Sequence, residues 1–135
     1  MGSISLEIER KFLVKSDEWW SQVLSVPSLL KQGYITVNPE VRVRIQSACT
    51  VEGQPFGKLS ASFSVLGDRT AKGEREVFDF NIPVEDAKQM LCLSKYQLKK
   101  IRHKAEMNLT VDQFLDRENN IYLTVAELKI IKNRC

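Results

Sequence analysis

Charged and apolar residues alternate with a period of two along much of this chain. In SLEIERKFLV, near the N-terminus, Glu7, Glu9 and Lys11 are spaced by two, with Ile8, Phe12, Leu13 and Val14 supplying apolar, partly β-branched content. A strand points residues i, i+2 and i+4 to one face, so these three predict a single ionic row. The pattern returns downstream. Arg42 and Arg44 flank Val43, Lys100 and Arg102 flank Ile101, Glu127 and Lys129 flank Leu128, and Asp112 follows Val111 in LTVDQF. Two arrangements satisfy this patterning. Each strand packs its apolar face on helices and turns its charges to water, or the sheet closes into a barrel with a polar lumen.

The remaining patterning fills in the elements. Ser16 is placed to cap a short helix over DEWWSQVL, with Trp20, Val23 and Leu24 as its buried stripe and Pro27 as its stop. KQGYITV predicts a strand, followed by a turn at Asn38-Pro39 and a strand in EVRVRIQSA. KLSASFSVLG and EREVFDFNIP predict two more strands around a loop from Gly67 to Gly73. Pro83 opens a helix from Val84 to Leu93. YQLKKIRHKAE, MNLTVDQFL and IYLTVAELKII complete the set. Closely spaced strands with two short helices predict a mainly β (α+β) fold, built as an antiparallel sheet or barrel.

Composition narrows the function classes. The 135 residues suit one domain spanning 1–135. The formal charge of +3 is too mild to indicate a specific nucleic-acid partner. Cys49, Cys92 and Cys135 have no CxxC spacing, and His103 is the sole histidine, which argues against a zinc site. Without a leader or a membrane-length apolar run, the expected location is cytoplasmic, with reduced thiols and no membrane partner. His103 falls on the face opposite Lys100 and Arg102 and is not expected to be catalytic. Trp19 and Trp20 are assigned to helix packing. The candidate chemistry therefore lies in the charged rows. Paired carboxylates suit a hard cation such as Mg²⁺, and a neighbouring Lys binds phosphate oxygens as a point charge.

With these rows in view, the chain resembles the CYTH domain of the triphosphate tunnel metalloenzymes, in particular its short bacterial members. The family's ExExK matches Glu7, Glu9 and Lys11 in EIERKFLV. QGYITVNPEVRVRI resembles the family's QGYL…RVRI segment and aligns Arg42 and Arg44 with its paired arginines. FNIPVEDAKQML resembles EIPxxDAxxLL, KKIRH matches a KxR pair at Lys100 and Arg102, VDQF matches VDxF at Asp112, and VAELK matches AExE at Glu127. These pieces run in order from residue 5 to about residue 131.

The resemblance implies a closed eight-stranded antiparallel barrel whose tunnel binds a small triphosphate or polyphosphate. It implies metal-dependent hydrolysis, with Mg²⁺ or Mn²⁺ on Glu7, Glu9, Asp112 and Glu127. Glu7, Glu9 and Glu127 would be catalytic, and Lys11, Arg42, Arg44, Lys100 and Arg102 would grip the triphosphate. Arg75, Asp79 and Lys129 are further candidate tunnel positions. The alternative is a weakened or inactive barrel of the same kind that still binds polyphosphate or nucleoside triphosphates.

The chain departs from the family pattern in four places. Leu66 stands where the family carries a lysine, with Arg69 and Lys72 in the loop beyond. Val77 replaces a tunnel glutamate, while Asp79 keeps a carboxylate two residues on. Lys129 replaces the second carboxylate of AExE, where an ammonium would repel a divalent cation. The chain also stops soon after this strand, which would leave a barrel end that a second copy could cover as a homodimer. Together these departures favour anion binding over metal-assisted hydrolysis.

Overall fold

The alternation resolves into a barrel turned inside out, with its charges in the lumen. This structure, a computed structural model, describes residues 2–133, with side-chain placement from 4 to 131. Eight strands close into one antiparallel barrel: β1 (Gly2–Leu13), β2 (Ser28–Val37), β3 (Glu40–Cys49), β4 (Pro55–Leu66), β5 (Glu74–Asn81), β6 (Tyr96–Lys104), β7 (Leu109–Leu115) and β8 (Ile121–Asn133). Around the wall the order is β1-β5-β4-β3-β2-β6-β7-β8, and β8 pairs back onto β1.

Hairpins join β2 to β3 through the Asn38-Pro39 turn, as expected, and β7 to β8 through the DREN turn. Asp116 organises that second turn by accepting the backbone N–H groups of Glu118 and Asn120, both at 2.9 Å. Among the described residues no helix is long and apolar enough to cross a membrane.

The apolar faces point outward, where they gain partial cover. The helix α1 (Val84–Cys92) lies against β2, β3 and β4. Its fully buried Ala87 packs with Val43, Ile45 and Ala61, flanked by Ile82, Val84, Met90 and Leu91. A second outer cluster joins Leu29, Cys49, Ile101 and Leu115. On the outside of β1 and β8, Ile4, Phe12, Tyr122, Leu128 and Ile130 remain exposed.

The segment before Pro27 corrects the expected helix. It forms only a five-residue 3₁₀ turn, Glu18–Gln22, preceded by Asp17 with no side-chain cap. The chain then leaves helical geometry because Val23 bridges Ala105 and the Leu24 N–H donates to the Lys104 carbonyl at 2.9 Å. Pairing with the end of β6 wins over continued helix. Trp19 is therefore the buried residue, whereas Trp20 and Leu24 are exposed. Trp19 and Trp20 stack on each other and cover His103, with ring centroids 5.0 and 4.8 Å from the imidazole. His103 is fully buried outside the barrel, on the face opposite Lys100 and Arg102 as expected. Its Nε2 lies 2.7 Å from Gln113 Oε1, and burial pushes its pKa down.

Gly33 in β2 is required by space. A Cβ there would meet Ser94 Oγ at 2.2 Å and Leu91 Cδ2 at 2.8 Å, at the C-terminal end of α1. Gly33→Ala is expected to lever α1 off β2 and to cost about 1–3 kcal/mol. Urea unfolding against the parent chain measures this, and an unchanged midpoint would contradict the close approach.

Candidate functional site: a two-walled ionic lumen

Closure brings together every site residue proposed from the charged rows. Directly paired residues project to the same side of a sheet, so the register identifies the lumen. Lys11 faces Glu127 and Glu9 faces Lys129 across β1–β8, while Glu7 faces Arg75 across β1–β5. Arg44 faces Gln32, Arg42 faces Tyr34, and Arg102 faces Asp112. Alternation then carries Lys100 and Asp79 inward as well.

The ionic groups separate into two walls. The basic wall is built on β3, β2, β6 and β7. Arg102 makes a bidentate pair with Asp112, Nε to Oδ1 and Nη2 to Oδ2, both at 2.8 Å. Lys100 Nζ is 3.0 Å from the same Oδ2, with the Phe114 ring 5.3 Å away. Asp112 is 3% exposed and Lys100 is 7% exposed, so this is a desolvated triad. Arg44 differs from its neighbours. Its guanidinium donates to the neutral Gln32 Oε1 at 3.0 and 2.7 Å, and Gln32 Nε2 donates to the Tyr34 hydroxyl at 2.8 Å. Arg42 reaches Glu40 at 3.4 Å.

Burial and crowding set the charge states of this wall. Burial, then Arg42 and Arg102, hold Arg44 down to about 10, leaving it charged at neutral pH. Burial, partly offset by Asp112, lowers Lys100 to about 8. Burial pushes the Asp112 carboxyl up, but hydrogen bonds and charge from Arg102 and Lys100 outweigh it and hold the group at about 2.

The opposite wall, on β1, β5 and β8, is acidic but already compensated. Glu7 lies 3.1 Å from Arg75 Nε and 3.6 Å from Lys129 Nζ. Glu9 is hydrogen-bonded by Arg69 and lies 3.6 Å from Arg75 and 3.8 Å from Lys11. Glu127 lies 3.4 Å from Lys129. Burial, then a hydrogen bond with Glu9, raises the Glu127 pKa. Burial opposes ionisation of Glu9, but the bond with Glu127 and the charges of Lys11 and Lys129 keep it low. The two carboxyls are thus pushed apart, Glu9 toward the stronger acid and Glu127 toward the weaker. Lys11, 62% exposed, stands at the mouth.

Between the walls lies a cavity of about 70 Å³, bordered by Arg42, Arg44, Lys100 and Arg102 on one side and Glu9, Glu127 and Lys129 on the other. A wider groove of about 590 Å³ runs outside the barrel beside α1, with Lys31, Lys95, Lys99 and Arg117 on its rim. Lys31 and Lys99 sit on the outward parity of β2 and β6, and the buried ionic chemistry lies inside.

The departures also resolve. Leu66 and Val77 are direct cross-strand partners, both inside the barrel, at 1% and 3% exposure. They form one apolar pair in the lumen. Asp79 faces inward beside them and accepts a hydrogen bond from Ser64. Arg69, in the loop after Leu66, reaches back to Glu9. Lys129 points into the lumen between Glu7 and Glu127. Sequence reasoning missed Gln32, Tyr34 and Glu40. Their signal was positional, because Gln32 and Tyr34 sit opposite Arg44 and Arg42, and Glu40 continues the arginine row.

Fold and site together define an antiparallel barrel with a closed ionic lumen. No family model matches the chain. No curated protein matches it. Among solved structures it is similar to the crystal structure of the hypothetical protein NE1496. The identity is 18%, the likeness covers 92% of this chain and 75% of the other, and the TM-score is 0.51. That likeness shows a shared barrel fold.

Asp112 is the keystone of the basic wall. Asp112→Asn is expected to destabilise the protein by about 3 kcal/mol, because two buried cations lose their counter-charge. The acid limb has a defined window. Asp112 sits at about 2 rather than 3.8, so its ionic stabilisation is intact above pH 4 and disappears as pH falls toward 2. Lys100 acts with the opposite sense. Its pKa lies at about 8 rather than 10.5, so the unfolded chain binds the extra proton between those values and stability rises with pH across that window. Chemical denaturation of parent and variant from pH 2 to 10.5 checks all three expectations. The loss of the acid limb in Asp112→Asn is the diagnostic result.

Proposed function

We propose that the lumen binds a small linear polyphosphate, of the tripolyphosphate class, on Arg42, Arg44, Lys100 and Arg102, with Lys11 at the entrance. The observation that carries this reading is Arg44. Among the described residues its guanidinium has a neutral partner, Gln32, and it is crowded by Arg42 and Arg102. An under-compensated cation cluster facing a cavity gains stability from an anion. Guanidinium forks match phosphate oxygens in pairs, and a linear polyphosphate supplies several anionic groups at once. The ordered match to the CYTH motifs supports the same ligand class.

That resemblance also implies Mg²⁺ or Mn²⁺ on Glu7, Glu9, Asp112 and Glu127. The residues present do not fit such an ion. Both oxygens of Asp112 are taken by Arg102 and Lys100. Lys129 Nζ stands between Glu7 and Glu127, at 3.6 and 3.4 Å. At an effective dielectric near 20, a divalent ion about 4 Å from an ammonium is repelled by about 8 kcal/mol. The function supported best is therefore the polyphosphate-binding tunnel rather than the metal-dependent hydrolase.

One observation favours slow hydrolysis as a second reading. Glu9 and Glu127 both border the cavity that faces the basic wall, with one carboxyl held low and the other raised. Such a pair can supply a base and an acid from neighbouring side chains. Glu9 would orient a water, while Glu127 would hold a proton near the departing phosphate.

Calorimetry with tripolyphosphate tests the binding reading. The expected result is saturable binding that weakens as salt rises, and as pH rises through about 8 with loss of the Lys100 charge. Arg44→Ala is expected to weaken binding ten- to a hundredfold, the equivalent of roughly 1.5–3 kcal/mol for a charged hydrogen-bonding group. Absence of saturable heat would sink this reading. Phosphate release that Glu127→Gln abolishes, while binding persists, would support the hydrolytic one.

A further inference from the structure

The acidic wall holds a charge arrangement that anion binding alone leaves unexplained. Three buried carboxylates, Glu7, Glu9 and Glu127, crowd the lumen side of the seam between β1 and β8, and among the described residues no acidic cluster is placed to hold a metal ion. Convergence of this kind is costly unless a cation sits among them. In this chain that cation is covalently part of β8. Lys129 lies directly across the seam from Glu9. Its ammonium reaches Glu7 Oε2 at 3.6 Å and Glu127 Oε1 at 3.4 Å. Its side chain is 25% exposed, so it is enclosed by the barrel and not a solvated surface group.

We infer that Lys129 supplies, as a fixed side chain, the positive charge that a divalent ion would otherwise bring to this wall. The lumen therefore takes its anion free of metal. Lys129 is a specificity-determining residue, selecting the uncomplexed polyphosphate over its Mg²⁺ complex. Three features agree. The cation sits among the carboxylates that converge. Arg75 bridges Glu7 and Glu9 from the other side, at 3.1 and 3.6 Å, and Arg69 adds to Glu9, so the wall is already compensated. A Mg²⁺ carried in on the ligand would meet Lys129 and Arg75, and Mg²⁺ sheds its waters reluctantly. A free polyanion meets only cations at those positions.

The ligand arm of the test rests on the polyphosphate reading, whereas the metal arm does not. In the metal arm, Mn²⁺ is titrated into the protein and the paramagnetic resonance signal of free Mn²⁺ is followed. The parent chain is expected to leave Mn²⁺ free. Lys129→Glu is expected to take it up, and Lys129→Met, which adds no carboxylate, to take it up more weakly. Thermal melts establish that both variants fold. Mn²⁺ uptake by the parent that Glu7→Gln removes would overturn the inference, as would folded variants that both leave Mn²⁺ free.

In the ligand arm, calorimetry with tripolyphosphate is run in chelator and then in excess Mg²⁺. The parent is expected to bind in chelator and to lose tenfold or more in apparent affinity with Mg²⁺. Lys129→Glu is expected to reverse that order. A tenfold gain with Mg²⁺ in the parent would overturn the inference. If tripolyphosphate binds under neither condition while the Mn²⁺ arm behaves as expected, the polyphosphate reading fails and the role of Lys129 stands.

Discussion

The seam between β1 and β8 is the constraint on which the lumen depends. Lys11 lies opposite Glu127 and Glu9 opposite Lys129, a register that turns the charges of both strands into the barrel. A slip of one residue would turn Glu7, Glu9 and Lys11 to solvent and bring Ile8 and Arg10 inward. The Lys129–Glu7 ion pair crosses this seam, so it favours the observed register as well as lining the lumen. Such pairs are a weak source of net stability, since each buried charge gives up hydration for its partner. Their structural value lies in excluding the alternative pairings that an alternating strand would otherwise permit.

The two walls solve the same burial problem differently. On the basic wall one carboxylate serves two cations, so Asp112 is held strongly ionised while Lys100 is pushed toward neutrality. Excess positive charge remains around Arg44, whose hydrogen bonds go to an amide. On the acidic wall the carboxylates are matched by Arg75, Lys129, Lys11 and Arg69. Positive potential is therefore concentrated on one side of a narrow cavity. On the polyphosphate reading proposed above, an anion entering there would relieve that repulsion, and ligand affinity would follow the same titrations as stability.

Much of this was legible in the chain. Alternation at a period of two identified the rows, and the ordered motifs distinguished a polar lumen from a set of solvated strand faces. Once the parity of β1 was known, Lys100, Arg102, Asp112 and Glu127 followed. Parity could not show who partners whom, because that depends on register between strands distant in sequence. Arg75 lies sixty-eight residues from Glu7, and Gln32 shows no special signal apart from its place opposite Arg44. The Trp19–Trp20 segment was misread for a related reason. Helical periodicity over eight residues cannot reveal that Val23 and Leu24 pair with the chain at the end of β6.

The departures from the family pattern look scattered along the chain, but in space they fall on two sites. Leu66 and Val77 are neighbours across β4 and β5, so the two positions where the resembled family carries a lysine and a glutamate form one apolar pair here. Exchanging both members of a buried pair leaves no orphaned charge, and so avoids the penalty of removing either alone. Lys129 is the second site, and there a charge changes sign. That change is tolerable only where surrounding carboxylates are close enough to accept it, as Glu7 and Glu127 are. The first exchange is neutral in charge, whereas the second moves the acidic wall toward positive. Both therefore leave the carboxylates of the acidic wall committed to cations built into the fold, Lys129, Arg75 and Arg69, which is the charge arrangement that the proposed anion-binding reading requires.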